Sequence, residues 1–270
     1  MTEEPRDKSI RSLEKAFQII ELLMSEGDQS LSDIARELDA PKSTVHYYMK
    51  TLEKHRYIVK RDGKYAPGLR FLTVGGHALS QHRLFGRLDE ETVSRHVDEL
   101  AERTGETAVI AVEEAGRGIF LYQARVEDGA DVTVNIGTEC HLHSTAVGKA
   151  FLAGLSDETV ESFIDHHGLP KSTDQTIDSR TDLREEISRV RDDRIAYEDE
   201  EWVPGQRGIA APIVDRNDGM VVAAIGVIGS VDSIERVKHR GKAERFSSDK
   251  VKIVQQTAKI AESKLLLQDE

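Results

Sequence analysis

Lys42, Ser43, Thr44, His46, Tyr47 and Lys50 crowd one short stretch of the chain. A helix that reads DNA lies in the major groove and presents polar side chains from its first turns. Val45, Met49 and Leu52 recur at i, i+4 and i+7 and supply the opposite, buried stripe. Alone, such a polar face is no more than a solvated helix surface. The next residues of the chain weigh for DNA: Lys54, then Lys60, Arg61 and Lys64 around an Asp62-Gly63 turn. A basic hairpin beside a basic helix gives two elements that can grip phosphates. Ser43, Lys50, Lys54, Lys60, Arg61 and Lys64 are the expected phosphate contacts. Thr44, His46 and Tyr47 are the expected base contacts.

Three further segments carry reactive or recognising groups. Cys140-His141-Leu142-His143 holds a thiol and two imidazoles, part of the donor set zinc takes. The plainer reading is a strand end entering a helix. Ser144-Thr145-Ala146-Val147-Gly148-Lys149-Ala150 has a hydroxyl cap and small residues at a helix start. Unpaired N–H groups there favour an anion, but close packing of helix on sheet accounts for the same residues. It is not a phosphate loop, because the Gly-x4-Gly-Lys-Ser/Thr spacing is absent. The run Glu198-Asp199-Glu200-Glu201 leads through Pro204-Gly205 into an apolar strand, which brings at least one carboxylate to a cavity.

The elements that position these groups can be read from periodicity. Helices are expected over 9–25, capped by Ser9 with Ile10, Leu13, Phe17, Ile20 and Met24 on one stripe, over 30–38, and over 42–55. Ser30 and Asp33 form a capping pair, and Asp39-Ala40-Pro41 turns the chain. Two β-prone runs then flank Asp62-Gly63, a strong hairpin signal. Helix, helix, turn, helix, hairpin is the order of a winged helix-turn-helix. A linking helix is expected over 69–84 and another over 87–103. Strands are expected at 107–112, 118–124, 132–136, 209–214 and 221–229, and helices near 145–154, 156–167, 179–193 and 247–266. The fold class is α+β. Its organisation is a winged helix-turn-helix over 1–68, a linker helix over 69–85 and an α/β domain with a mostly antiparallel sheet over 86–270.

Charge sharpens this division. The 270 residues carry 37 Lys and Arg against 49 Asp and Glu, a net charge of −12. Residues 1–75 nevertheless sum to +1 and the remainder to −13, while residues 42–70 hold eight basic and two acidic side chains, a net of +6. The basic island marks the nucleic-acid surface that the average conceals. No apolar run reaches the length of a membrane span, and the polar, acidic N-terminus is unlike a secretory signal. The lone Cys140 permits no intrachain disulfide, in keeping with a reducing cytoplasm.

These residues resemble the IclR-type transcriptional regulators over nearly the whole chain. In the first part the resemblance is carried by Leu31-Ser32-Asp33-Ile34-Ala35-Arg36-Glu37-Leu38, Pro41-Lys42-Ser43-Thr44-Val45-His46, Thr51-Leu52-Glu53 and Tyr65-Ala66-Pro67-Gly68-Leu69-Arg70. In the second it is carried by Thr104-Gly105-Glu106-Thr107, the segment from His141 to Ala153, and Ile209-Ala210-Ala211-Pro212-Ile213. The resemblance implies a GAF-like effector domain that binds a small metabolite, often a carboxylic or aromatic acid. It also implies a homodimer through the N-terminal and linker region, commonly built into a tetramer, on palindromic double-stranded operator DNA. It implies no cofactor and no catalysis. By motif, the effector would touch Leu142, Ala146, Val147, Glu198 or Glu200, Gly208, Gly226 and Ile228.

This sequence departs from the family pattern at two places. Tyr47 stands where Arg is usual. Gly208, Gly226 and Ile228 stand where some members offer a hydroxyl or thiol, which makes the pocket less polar and argues against a glyoxylate-like or pyruvate-like effector. Strand alternation turns Arg207 away from that pocket. The acidic second part resembles proteins of hosts with high internal salt. Salt weakens DNA binding through counterion release, so base, shape and apolar contacts should outweigh phosphate contacts. Two rival readings remain open from the residues alone. One is an enzyme or metal protein built on Cys140, His141 and His143, and the other a winged module that binds protein only.

Overall fold

The structure is a computed structural model that describes residues 10–84, 89–126, 134–239, 242–246 and 248–267. The chain divides into two compact units, Met1–His82 and Arg83–Glu270.

The first unit runs α1 (Arg11–Glu26), β1 (Gln29–Ser30), α2 (Leu31–Glu37), α3 (Lys42–Lys54), β2 (Ile58–Arg61), β3 (Lys64–Pro67) and α4 (Arg70–Gln81). Ser30 caps α2, its hydroxyl accepting from the Asp33 N–H at 3.2 Å and donating to the Asp33 carboxylate at 2.6 Å. Asp62 and Gly63 both take positive φ, which a two-residue hairpin turn requires, and set Arg61 opposite Lys64. β1 pairs with β3, so the wing is a three-stranded sheet in the order β1-β3-β2. Ile19, Leu23, Ile34, Val45, Met49, Leu52 and Ile58 form the buried core.

The apolar stripe of α1 named from periodicity is not the one that carries its buried residues. Its core residues are Ile19 and Leu23, whereas Ile10, Leu13, Phe17 and Met24 are exposed. The helix has two apolar stripes, and the one with the longer repeat faces outward. Ser9 lies outside the described residues, and the N-cap Ile10 supplies no side-chain cap.

The second unit runs α5 (Glu90–Thr104), β4 (Thr107–Glu114), β5 (Arg117–Ala124), β6 (Glu139–His141), α6 (Ala146–Ala153), α7 (Asp157–His167), α8 (Arg180–Asp193), β7 (Ala196–Asp199), β8 (Gln206–Val214), β9 (Val221–Ser230), β10 (Arg236–His239), β11 (Lys242–Phe246) and α9 (Ser248–Leu267). Six strands form one antiparallel sheet in the order β6-β5-β4-β9-β8-β7. Helices α5 and α9 cover one face, and α6 with α8 behind it covers the other. The strand expected at 132–136 is not formed over 134–136, and 132–133 lie outside the described residues. Gly137 takes a positive φ there and turns the chain, and the edge strand starts at Glu139. β7 and the β10–β11 ribbon were not foreseen. Among the described residues, no helix is long and apolar enough to cross a membrane.

The three central strands are buried almost end to end, and β9 reads Val-Val-Ala-Ala-Ile-Gly-Val-Ile-Gly-Ser. Such continuous apolar strands suit a sheet covered on both faces. α6 sits very close to this sheet. A Cβ at Gly148 would fall inside the backbone of Leu142. Alanine stabilises most helix interiors relative to glycine, but here Gly148→Ala should cost about 1–3 kcal/mol through forced displacement. Urea unfolding of the two proteins checks this, and an unchanged midpoint would contradict the close seating.

Candidate functional site

On α3, Lys42, Ser43, His46, Tyr47, Lys50 and Lys54 are exposed and Thr44 is half-buried, while Val45, Met49 and Leu52 face the core. Tyr47 keeps 72% of its surface exposed although it is a large aromatic residue. On the wing, Lys60, Arg61 and Lys64 are exposed, and the Lys60 ammonium lies 5.1 Å from the Tyr65 ring centre. The core thus holds α3 and the wing so that all ten residues expected to meet DNA lie outside it, Thr44 at its border. Pro41 opens α3 without a side-chain cap, which leaves the first N–H groups of the helix open to an acceptor.

In the second unit a small cavity of about 10 Å³, the room of one water molecule, lies between α6 and the sheet. Val109, Phe120, Ala146, Val147, Ile209, Ala210, Val227 and Ile228 make it mostly apolar, and Trp202 stacks on Phe120 with ring centres 5.7 Å apart. Thr145, Glu198 and Gln206 are the polar side chains in its wall. Glu198 stands opposite Gly208 in the β7–β8 pairing, and a Cβ on Gly208 would lie 3.3 Å from Glu198 Oε2 and 3.3 Å from Ala146. The missing side chain of Gly208 therefore makes the space that the carboxyl fills.

Glu198 is 2% exposed. Its Oε1 accepts from the backbone N–H of Glu201 at 2.8 Å and of Trp202 at 3.2 Å. Burial nevertheless pushes its pKa up to about 8, against the lowering effect of those N–H groups. Lys149, 1% exposed, reaches from α6 to Glu201 at 2.6 Å and lies 3.7 Å from Glu186. Burial raises Glu201 as well, with Lys149 opposing.

Of the effector residues named from the resemblance, Ala146, Val147, Glu198, Gly208 and Ile228 line the cavity. Leu142, Glu200 and Gly226 do not. Leu142 is the residue against which Gly148 packs, Glu200 accepts from the Gly205 N–H at 3.0 Å, and a Cβ on Gly226 would strike Ile209 O and Ala210. Gly226 serves the close approach of β8 and β9 instead. Arg207 points away, to Asp199 at 2.7 Å and to the carbonyls of Val231 and Ile234. Val109, Phe120, Thr145, Trp202, Gln206, Ile209, Ala210 and Val227 line the cavity too and were not named as effector residues. Trp202 and Gln206 sit on the β7–β8 connection and at a strand start, where no periodicity marks the inward face.

The Cys140 cluster is structural in its bonding. Cys140 is buried, its thiol pushed up to about 11 by burial, with Sγ 3.4 Å from Thr145 Oγ1. A thiol held protonated is a poor nucleophile and ligand. His143 Nε2 lies 3.1 Å from Pro170 O, burial lowers its pKa to about 4, and the ring of His141 is 5.5 Å away. Among the described residues, no group of three or more His, Cys, Asp or Glu is placed to hold a metal.

Comparison with known proteins decides the class. Residues 12–62 match the IclR helix-turn-helix domain, and residues 87–258 match the C-terminal domain of the bacterial transcriptional regulator IclR. The chain belongs to the IclR family. Members of this family are transcriptional regulators rather than enzymes, with a helix-turn-helix DNA-binding domain and a ligand-binding C-terminal domain. The chain is 32% identical to the probable HTH-type transcriptional regulator ArcR of Halobacterium salinarum, over 97% of this chain and 95% of that protein. It is 28% identical to the transcriptional repressor IclR of Escherichia coli, over 85% of this chain and 84% of that one. The Thermotoga maritima IclR crystal structure shares the fold, with a TM-score of 0.72 at 24% identity over 95% of this chain and 98% of that one. So does an IclR homolog from Microbacterium hydrocarbonoxydans complexed with 4-hydroxybenzoate, with a TM-score of 0.72 at 21% identity over 95% and 99% of the two chains.

The Glu198 site carries a pH signature. Its pKa in the folded protein lies above the unfolded value of 4.5, so the folded state holds the extra proton and stability from this group falls as pH rises from about 4.5 to about 8. Glu198→Gln should flatten that part of the stability–pH curve, with a gain on the order of a few kcal/mol near pH 8. Chemical denaturation across this range checks it, and parallel curves for the two proteins would contradict the buried carboxyl.

Proposed function

We propose that the chain binds palindromic operator DNA as a homodimer, through α3 and the wing, under the control of a small metabolite held between α6 and the sheet. The observation that carries this reading is the exposed polar face of α3 beside a basic wing, in a segment of net charge +6 within an acidic protein. Lys50, Lys54, Lys60, Arg61, Lys64 and Ser43 hold phosphates, and Thr44, His46 and Tyr47 face base edges. Half-sites are then spaced by about one helical turn, roughly 34 Å, or a multiple of it.

Two apolar surfaces of the first unit support dimerisation. Ile10, Leu13, Phe17 and Met24 form an exposed stripe on α1, and Leu69, Leu72 and Val74 are exposed on and before α4. Single exposed apolar residues need no explanation, but stripes at helical spacing call for a partner. That an IclR homolog of the same fold, from Microbacterium hydrocarbonoxydans, forms a complex with 4-hydroxybenzoate supports small-molecule control. Arg83 offers the route of coupling. It bonds Asp215 at 3.0 Å and also Asp218, on the β8–β9 turn, while the far halves of both strands line the cavity. A ligand that shifts these strands shifts the residue at which the chain enters the domain, and it regulates to the extent that it binds the two states unequally. The setting is the cytoplasm, and the acidic effector domain and the Halobacterium relative support a host with high internal salt.

Lys50→Glu with Arg61→Glu should weaken operator binding by roughly a hundredfold or more in gel-shift titration at fixed salt, with helix content unchanged. Retention of full binding would remove the assignment. Leu13→Asp with Leu72→Asp should yield monomers in sedimentation velocity and weaken operator binding with them, and an unaltered dimer would place the interface elsewhere.

A further inference from the structure

The wall of the cavity between α6 and the sheet holds one buried polar atom without a partner among the described residues, and beside it a carboxyl oxygen that takes no part in the hydrogen bonds of its own side chain. Gln206 is 7% exposed, and its Nε2 is buried without a hydrogen-bond partner among the described residues. Glu198 spends Oε1 on two backbone N–H groups, while Oε2 faces the bare Cα of Gly208 and accepts no hydrogen bond from the described residues. Gln206 and Gly208 lie two apart on β8, and Glu198 pairs with Gly208, so the three share one face of the sheet. An unpartnered buried polar group is costly, and a ligand that satisfies it recovers that cost. The rest of the wall is hydrocarbon and aromatic.

Among the described residues, no Lys or Arg lines this cavity. The nearby ammonium, Lys149, already sits between Glu201 and Glu186, one cation against two carboxylates. A carboxylate entering here would be a buried charge with no cation to pair it, held only by the neutral Gln206 amide and the protonated Glu198 carboxyl, which is unfavourable. A hydroxyl carries no charge and can both donate and accept, so it meets Oε2 of Glu198 whether or not that carboxyl is protonated.

We propose that the effector is an uncharged, largely apolar molecule whose hydroxyl bridges Glu198 Oε2 and Gln206 Nε2, and that carboxylic acids of equal size are excluded. This rests on the cavity being the effector site. The cavity is small, so an occupant larger than water must shift its wall, of which Trp202 and Phe120 are part. Trp202 is the only tryptophan of the chain, and its fluorescence reports occupation directly.

The test is fluorescence titration of the full-length protein with two matched pairs of probes, benzyl alcohol against benzoate and butan-1-ol against butyrate. The alcohols should shift the Trp202 signal at concentrations about tenfold or more below the matching acids. Gln206→Leu should weaken alcohol binding about fivefold with the circular dichroism spectrum unchanged. Should that variant fail to fold, Glu198→Gln is to narrow the gap between alcohol and acid. Acids binding as well as the alcohols would overturn the exclusion and leave the cavity as the effector site. A Trp202 signal unmoved by all four probes would overturn both.

Discussion

The effector domain depends on how closely α6 sits on its sheet. Gly148 packs on the backbone of Leu142, Ala146 faces Gly208, and Lys149 passes inward to Glu201. No larger side chain fits at Gly148 without moving the backbone, and one at Gly208 would press on Ala146 and the Glu198 side chain. This seating buries an ammonium and two carboxyl groups that water would otherwise hold, and breaking such a buried pair typically costs about 3–5 kcal/mol. It also leaves one small gap, walled by Ala146 and Val147 on the helix and by Glu198, Gln206 and Gly208 on the strands. The gap is thus what remains after close packing, and the proposed recognition rests on the polar atoms in its wall, Gln206 Nε2 and the Glu198 carboxyl.

The DNA-binding unit is governed by a different balance. Its core is small, ten buried side chains among the described residues, drawn from helices and wing, and it leaves two apolar stripes uncovered. A domain of this size gains from burying such surface against a second copy. Dimerisation would then set the spacing of two recognition helices and complete the hydrophobic burial together. Charge is apportioned to match, with a basic island on α3 and the wing and the acidic excess carried by the other domain. That separation concentrates attraction for phosphate where the helix must dock.

The parts legible in the sequence were those set by local rules. The i, i+4, i+7 pattern of Val45, Met49 and Leu52 placed the buried side of α3, and with it the exposed polar face. Asp62-Gly63 placed the wing turn to the residue, because few other pairs accept two positive φ values. In α1 the periodicity left the inward side unassigned, because the helix is apolar on two sides. Periodicity finds an apolar stripe but does not say whether protein or a partner covers it, and Ile19 with Leu23 proved to be the inward pair. The cavity was harder still. Glu198 and Gly208 came from the motif, but Trp202 and Gln206 reach the wall through the turn that joins β7 to β8, a long-range arrangement with no repeat to betray it. Gly226 looked like a gap for a ligand and turned out to admit a neighbouring backbone.

Reading of specific operators by a dimer, through α3 and the wing, is tested most directly by mapping the DNA this protein binds across the genome of its host. A small set of discrete sites is expected, each an inverted repeat with half-sites about one turn, roughly 34 Å, apart or a multiple of it. Uniform coverage, or enrichment without any repeated half-site, would contradict it.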